Sequence, residues 1–346
     1  MKTLPEKFVF SAWKRLKKAL YWTAFPILAI GALWCTGAFF HAFDAPPSIA
    51  GAAAFATWAL LLISVFRRRA VLPLMILEIS TLAAFLSIAP QQRFLNTAWQ
   101  KPWRRTLDAL KLADGRYELR NVRDFHYRSE HDFDVVYRTV TVDPERVSSI
   151  DAVFSHWDDM EGVAHSMLGL NFADGTTVVI SLETRLPEGA EQNVIDGFYH
   201  RYELAMLAGT PEDLYGLRTD HRGETLYVYR LDADQKTMRQ MVRSLFDRAA
   251  EMQKRPKFYN SLTRNCTTGL LPMLPVADEF LSGDLRLTLN GMADQMLFEK
   301  RLIVCRKGES FGSLRARSLV PGLCLGKNAP PAHYAGESET RWLRVR

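Results

Sequence analysis

The sequence has no glycine-rich phosphate-binding loop, no dinucleotide-binding fingerprint and no internal repeat. Nucleotide-dependent chemistry and repeat architectures therefore have no support. His126 and His131 lie among acidic residues, but their spacing does not match a zinc site. We therefore predict neither a metal site nor a cofactor.

Most of the chain also has no excess of positive or of negative residues. The formal net charge is +6, from 44 Lys and Arg against 38 Asp and Glu, but nine of those cations and three of those acids lie in residues 1–90. The other 256 residues therefore carry no net charge. A neutral domain offers no broad field for phosphates, so nucleic acid is excluded as a partner.

The N-terminal part contains three long apolar stretches, at residues 21–43, 48–66 and 70–89. Each is about as long as a helix must be to cross a bilayer, so residues 1–90 are predicted to be a membrane anchor with three transmembrane helices. The alternative for the first stretch is a cleavable signal peptide. A signal peptide has a shorter apolar core, and two more apolar stretches follow directly here.

Basic residues determine the predicted orientation of this anchor. Six Lys and Arg precede the first stretch, Arg67-Arg68-Arg69 separate the second from the third, and the turn between the first two has none. By the positive-inside rule the N-terminus is cytoplasmic and the chain after Pro90 is extracytoplasmic, which for a bacterial inner membrane is the periplasm. Glu78 lies inside the third stretch, where a carboxylate is costly, and is therefore a functional candidate.

The remaining chain is predicted to be a soluble α+β domain with flanking segments. Residues 91–117 carry tryptophans beside cations, which is typical of a juxtamembrane connector. Residues 118–275 contain strand-like segments and a strongly amphipathic helix, Lys236–Met252, with a further helix expected over Ile195–Leu207. Residues 276–346 are predicted to form a C-terminal extension.

A hairpin of two alternating strands carries His165. Its two apolar faces coincide only if Phe172 pairs with Thr176 across a short turn. In that register His165 lies opposite Glu183, and Ser181 shares their polar face. A carboxylate in this position can hold an imidazole in one tautomer and stabilise its charged form. The alternative is an ordinary surface ion pair.

Cys266 follows a polar turn in the stretch Phe258–Thr268 and precedes a short apolar run that could form helical turns. A thiol at a helix N-terminus faces unpaired N–H groups and the positive end of the helix dipole, which both favour the thiolate. With His165 far upstream, the chain has the pair that thiol catalysis needs. The alternative is a buried structural cysteine.

Several segments together resemble the periplasmic domain of Lnb-type bacterial lipoprotein N-acyltransferases. The matching segments are Asn121–Arg128, Ala164–Met167, Ser181–Arg185, Gly197–Leu204 and Phe258–Thr268, within about residues 118–275. That family looks like permuted papain-like proteins, in which the histidine strand precedes the cysteine helix. The resemblance implies a permuted papain-like α+β fold with Cys266 as nucleophile and His165 as its base.

These observations predict a membrane-anchored cysteine acyltransferase or hydrolase whose substrate is an acyl ester of a membrane lipid or lipoprotein. Glu183 is expected to orient His165. The remaining residues predicted to bind substrate or the oxyanion are Tyr259, Asn260, Asn265, Ser181, Arg185 and Arg201. For the two arginines, internal salt bridges are the alternative. A peptidoglycan or peptide amidase and a non-catalytic membrane adaptor remain open as alternative functions.

Cys305 and Cys324 are predicted to form a disulfide. Both lie in the part of the chain predicted to be exported, where disulfides persist, and a reactive Cys266 must stay unpaired. Closing such a loop would contribute about 3 kcal/mol.

Overall fold

In this computed structural model, the described residues are 6–157, 162–270, 284–287 and 290–322. The chain divides into two compact units, one containing Met1–Arg93 and Tyr199–Arg201, the other Phe94–Phe198 and Tyr202–Arg346. The architecture is mixed α+β, as predicted from the sequence. The permuted papain-like arrangement stays a prediction.

The first unit is built mainly from three apolar helices, α1 (Glu6–His41), α2 (Pro47–Phe66) and α3 (Val71–Ser87), followed by the short α4 (Pro90–Arg93). Stretches of these helices are long and apolar enough to cross a membrane, in agreement with the three predicted spans: Tyr21–His41, Pro47–Phe66 and Arg68–Ser87. Leu28, Ala32, Leu61 and Leu74 pack together inside the unit. Large apolar side chains remain exposed around it, as a lipid-facing surface requires.

Glu78 packs directly against α1 inside this first unit. A Cβ atom added to Gly31 would lie 2.8 Å from the carboxyl carbon of Glu78, so a larger residue at this position would displace the carboxyl group. A functional role for Glu78 stays a prediction.

The second unit is organised around a sheet. Within the described residues eight strands form it, in the order β1-β2-β9-β8-β7-β6-β10, with β5 paired to β2. The bounds of these strands are β1 Asp108–Lys111, β2 Tyr117–Arg123, β5 Tyr137–Val142, β6 Val147–His156, β7 Ala164–Phe172, β8 Thr177–Arg185, β9 Glu203–Gly209 and β10 Thr225–Arg230. A separate pair consists of β3 His126–Tyr127 and β4 Phe133–Asp134. Strand β2 pairs with β9 in parallel, and the other pairs are antiparallel.

One long helix covers the core face of this sheet. Helix α7 (Gln235–Lys254) begins where the Asp234 side chain accepts a hydrogen bond from the Thr237 N–H group. Its buried side chains join the main core and include the face predicted from the sequence, namely Met238, Met241, Val242, Leu245 and Phe246. The shorter helices of the unit are α5 Val194–Phe198, α6 Pro211–Leu214, α8 Cys266–Leu270, and two near the C-terminus, Ala293–Glu299 and Phe311–Arg317.

The register predicted for the hairpin is confirmed. The N–H group of Phe172 donates to the carbonyl oxygen of Thr176 at 2.9 Å, and Met167 lies opposite Ser181. Because a one-residue slip would place the apolar faces of the two strands on opposite sides of the sheet, the alternation of side chains was sufficient to set this pairing.

The prediction of a helix over Ile195–Leu207 is wrong. Helix α5 ends at Phe198, and the following residues form strand β9 between β8 and β2. All seven residues of β9 are buried, so the strand lacks the polar alternation that identifies a half-exposed strand. Part of the segment expected as a connector also enters the sheet, since β1 pairs with β2.

Candidate active site

The site lies where strands β7 and β8 separate. Their pairing ends at Met167 and Ser181, although β7 continues back to Ala164 along β6 and β8 continues to Arg185 along β9. Helix α8 packs against both strands. Its close approach requires a glycine, since a Cβ atom on Gly269 would lie 2.6 Å from a methyl carbon of Leu182.

Cys266 is the first residue of α8, and its side chain is buried against β7. The thiol makes a long contact of 3.9 Å to the carbonyl oxygen of Ala164, and the Asn290 side-chain amide donates to Sγ at 3.2 Å. The Asn290 side chain also accepts from the Ala164 N–H group at 3.0 Å. The hydroxyls of Thr267 and Ser166, 2.6 Å apart, join α8 to the strand.

The thiol of Cys266 is protonated at neutral pH. Burial raises its pKa, and the backbone N–H group of Ser166 offsets part of that rise. The thiolate expected from a helix N-terminus is therefore not the resting state. The cost of burying a charge at this position outweighs the field of the helix N-terminus, because burial is the largest cause of the shift in the pKa.

His165 is connected to Glu183 through a serine. The Nε2 atom of His165 lies 2.7 Å from Ser181 Oγ, and Ser181 donates to Glu183 Oε1 at 2.9 Å. The direct distance from Nε2 to Oε1 is 3.7 Å. Because the single hydroxyl proton of Ser181 goes to the carboxylate, its oxygen accepts the Nε2–H group, and Nδ1 is left as the basic nitrogen of the ring.

Two further donors fix the Glu183 carboxylate. Trp103 Nε1 donates to Oε2 at 2.7 Å, and the Arg218 guanidinium donates to Oε1 at 3.1 Å. Burial raises the pKa of Glu183, but Arg218 and other cations lower it more, so the net pKa is well below its usual range. Glu183 is ionised at neutral pH and acts only as an acceptor.

The imidazole of His165 is neutral at physiological pH. Burial, and then the charge of Arg218, lower its pKa to about 3, and the attraction of Glu183 offsets only part of this. The thiol and the imidazole are thus both uncharged in this structure. In the described part of the chain no hydrogen bond joins them, although both line the same cavity.

The low pKa of His165 predicts a loss of stability in acid. The unfolded chain binds a proton on this ring near its usual pKa of 6.5, whereas the folded domain does so only near about 3. The contribution of the neutral ring to stability is complete above the pKa of the unfolded chain and is lost as the pH falls. Lowering the pH from about 7 to about 5 should therefore decrease the free energy of unfolding by about 2 kcal/mol. His165→Asn should flatten this dependence, as measured by denaturant unfolding of the full chain in detergent. An unchanged slope in the variant would contradict the burial of a neutral ring.

Asn260 and Asn265, predicted to contact substrate, both form hydrogen bonds within their own loop, and Asn265 also lines the cavity, so their role in binding stays a prediction. The Asn265 side chain accepts from the N–H groups of Thr267 and Thr268, at 2.9 and 2.8 Å, and donates to the carbonyl of Ser261. The Asn260 side chain accepts N–H bonds from the two residues at 262 and 263. Both side chains hold the turn that presents Cys266.

Tyr259 lies in the cavity wall beside Cys266. Burial and the nearby thiol raise the pKa of its phenol, so it is a neutral hydroxyl at physiological pH. It therefore remains a candidate donor to substrate.

The two arginines predicted to bind substrate, Arg185 and Arg201, form internal salt bridges, the alternative considered above. Arg185 donates to Glu203 at 2.8 Å and lies over the ring of Trp99 at 4.3 Å. Arg201, which belongs to the first unit, pairs with Asp44.

Cys305 is an exposed residue whose thiol contacts the carbonyl oxygen of Ile303 at 3.1 Å. Its predicted disulfide partner, Cys324, lies outside the described residues. The pairing stays a prediction.

The cavity that contains the thiol and the imidazole has a volume of about 500 Å³. Most of its wall is apolar, and the apolar residues that contribute include Trp157, Leu182, Leu186, Val194, Phe198 and Leu262. Three of them, Trp157, Val194 and Leu262, are exposed on the protein surface, so the cavity opens outward. Its shape and lining suit a ligand with a hydrocarbon part.

Sequence reasoning missed three residues of this site, Trp103, Arg218 and Asn290. Arg218 follows the apolar residues of a buried segment, and a charged side chain in such a segment is a signal for a buried ion pair. Trp103 was assigned to a membrane interface from its basic neighbours. Asn290 lies 24 positions after Cys266, and no motif connects the two.

The fold and the cavity define a mixed α+β domain that places one thiol and one imidazole in a common, largely apolar site. Residues 134–293 match the family model described as the Lnb N-terminal periplasmic domain, so this part of the chain is similar to that domain. The predicted resemblance is confirmed. The comparisons with curated proteins and with solved structures gave no match. The domain and the three membrane-capable helices together support an inner-membrane protein.

Proposed function

We propose that this chain is a thiol-dependent acyltransferase, anchored in the inner membrane with its second unit in the periplasm, that acts on acyl esters of a lipid or lipoprotein. The observation that carries the proposal is the position of Cys266 Sγ in the wall of a largely apolar cavity, with His165 in the same wall. An apolar cavity of this size gains free energy by burying a fatty acyl chain. The Lnb-type domain adds support, because that family is associated with lipoprotein modification.

The first chemical step forms an acyl-enzyme. As Cys266 Sγ attacks the ester carbonyl, its proton moves to Nδ1 of His165, and the same proton then passes to the departing alcohol. The ester bond breaks, a thioester forms, and an alcohol is released. Since both groups start neutral, proton transfer accompanies attack rather than preceding it.

Asn290 is the best-placed donor for the oxygen that becomes negative during attack. Its amide lies 3.2 Å from Sγ, so it is close to any carbonyl that bonds to that sulfur. The hydroxyl of Tyr259 is the second candidate.

The second step returns the enzyme to its starting state. His165 removes a proton from an amine acceptor or from water, that acceptor attacks the thioester, and the thiol regains a proton as the acyl group leaves. The apolar wall favours an acyl chain over the polar stem of peptidoglycan, which makes the amidase alternative the weaker one.

The proposal is tested by mass spectrometry of the full chain in detergent after incubation with a diacyl phospholipid. We expect a mass increase of one acyl group on the peptide that contains Cys266, removable by neutral hydroxylamine as thioesters are. A dialkyl ether phospholipid, which has no ester to attack, is the matched control and should give no adduct. Acylation of other residues only, or of none under conditions in which the protein is folded, would refute the proposal.

A further inference from the structure

A second cavity, of about 620 Å³, lies on the other side of Trp157. Strands β6 and β10 form one part of its wall, and the two helices Ala293–Glu299 and Phe311–Arg317 form another. Trp157 is the lining residue that it shares with the thiol cavity. Neither Cys266 nor His165 lines it, so it is separate from the site described above.

Two buried side-chain nitrogen atoms in this wall lack hydrogen-bond partners among the described residues. His156 Nε2 and Arg315 Nε are both buried atoms, and the whole His156 side chain is only 8% exposed. Each faces the same carboxylate oxygen of Asp294, but at 3.6 and 4.0 Å, which is too far for a hydrogen bond. A buried donor without a partner is costly, and a ligand atom that accepts from it removes that cost.

Asp294 does not need these two donors. Its carboxylate already accepts from the Tyr229 hydroxyl at 3.0 Å and from the N–H group of Gln295 at 2.8 Å. Asp294 is 1% exposed, whereas the Arg315 side chain is 38% exposed. The negative charge is therefore deep in the wall, and the positive charge is presented toward the opening.

The aromatic side chains of the cavity are arranged in a way that disfavours a cationic ligand. The guanidinium carbon of Arg315 lies 4.7 Å from the ring centre of Tyr227, so this ring already has a cation stacked on it. The indole of Trp157 is partly exposed and offers apolar surface beside the charged groups. An anionic group with an attached apolar or planar part fits both features.

We infer that this second cavity binds an oxyanion, a carboxylate or a phosphate group, between His156 and Arg315, with the adjoining part of the ligand against Trp157. An arginine can hold such a group through two parallel hydrogen bonds. Asp294, Phe311 and Arg315 all follow residue 293, where the match to the Lnb-type domain ends. The site thus depends on the C-terminal part of this chain, and it is independent of the thiol chemistry.

Binding is measured by isothermal titration calorimetry on the full chain in a non-ionic detergent. Three probes are titrated separately: inorganic phosphate, acetate, and a short-chain phosphatidylglycerol. We expect heat of binding with at least one of them. Saturable binding of inorganic phosphate or acetate alone would indicate a small free anion as the ligand, whereas binding of the lipid alone would indicate a lipid head group.

Variants locate the binding. Arg315→Gln should weaken it by at least about 10-fold and His156→Gln by about 3- to 10-fold, because each removes a hydrogen bond to a charged group. Arg317→Gln is the matched control, since Arg317 is on the same helix but pairs with Glu309. Arg315→Lys keeps the charge without the paired donors and should give an intermediate loss.

The result is separable from the acyltransferase proposal. Cys266→Ala should bind the same probe with unchanged affinity, whatever its effect on acylation. If the wild-type chain binds none of the three probes, or if Arg317→Gln weakens binding as much as Arg315→Gln, the inference is wrong.

Discussion

Replacing Cys266 by alanine should abolish formation of the acyl-enzyme. Its Sγ is the sulfur in the wall of the thiol cavity and would be the atom that bonds to the acyl carbon. His165→Ala should have nearly the same effect, because the buried thiol is protonated and needs a base to lose its proton. For each variant we expect acyl transfer to fall by at least about 10³-fold, and the double variant should be no slower than either, since nucleophile and base act as a unit.

The measurement is single-turnover acylation by a fluorescent acyl-ester lipid, followed by mass spectrometry of the cysteine peptides. Cys35→Ala is the control, because it removes a buried thiol from the other unit and should leave acylation unchanged. Thermal melting of each variant checks that the domain remains folded. If folded Cys266→Ala still transfers acyl groups at the wild-type rate, the mechanism is wrong and the non-catalytic adaptor becomes the better interpretation.

The parts of the fold that the sequence could predict are those in which one local pattern determines the structure. Three apolar stretches of bilayer length became three apolar helices, and the apolar period in Lys236–Met252 became the buried face of α7. The hairpin register followed from alternation alone, and it brought His165, Ser181 and Glu183 to one polar face. These features need no information from distant residues.

The features that the sequence could not predict depend on burial and on contacts between distant segments. Strand β9 is buried along its whole length, so it shows no alternation to recognise. The protonation state of Cys266 was predicted from the helix dipole, but desolvation decides it, and the extent of burial is a property of the folded domain. Asn290 and Arg218 reach the site from separate short helical turns, and neither carries a local signal that specifies its partner.

Glu183→Gln should slow acyl transfer by about 10-fold to 10⁴-fold without removing it. The Glu183 carboxylate accepts each of the hydrogen bonds described above. Ser181 and Arg218 donate to Oε1, and Trp103 donates to Oε2. A glutamine carries one N–H₂ group in place of an acceptor. If the glutamine oxygen keeps the Oε1 position, its N–H₂ group faces the indole N–H group of Trp103. Because two donors then oppose each other, the glutamine side chain is displaced and no longer holds Ser181 and His165 in place.

This conflict gives the prediction an internal control. Trp103→Phe alone removes one donor and should cost little, whereas adding it to Glu183→Gln should recover part of the lost rate, because the opposed N–H groups are no longer both present. The pH dependence of single-turnover acylation provides a second readout, since a purely structural loss would not change the pKa of His165. Loss of the carboxylate charge should lower the pKa of His165 further, as the attraction of Glu183 is what opposes burial and Arg218. Wild-type rates in folded Glu183→Gln would show that His165 does not depend on Glu183 for its orientation, and the Ser181 connection would then be structural.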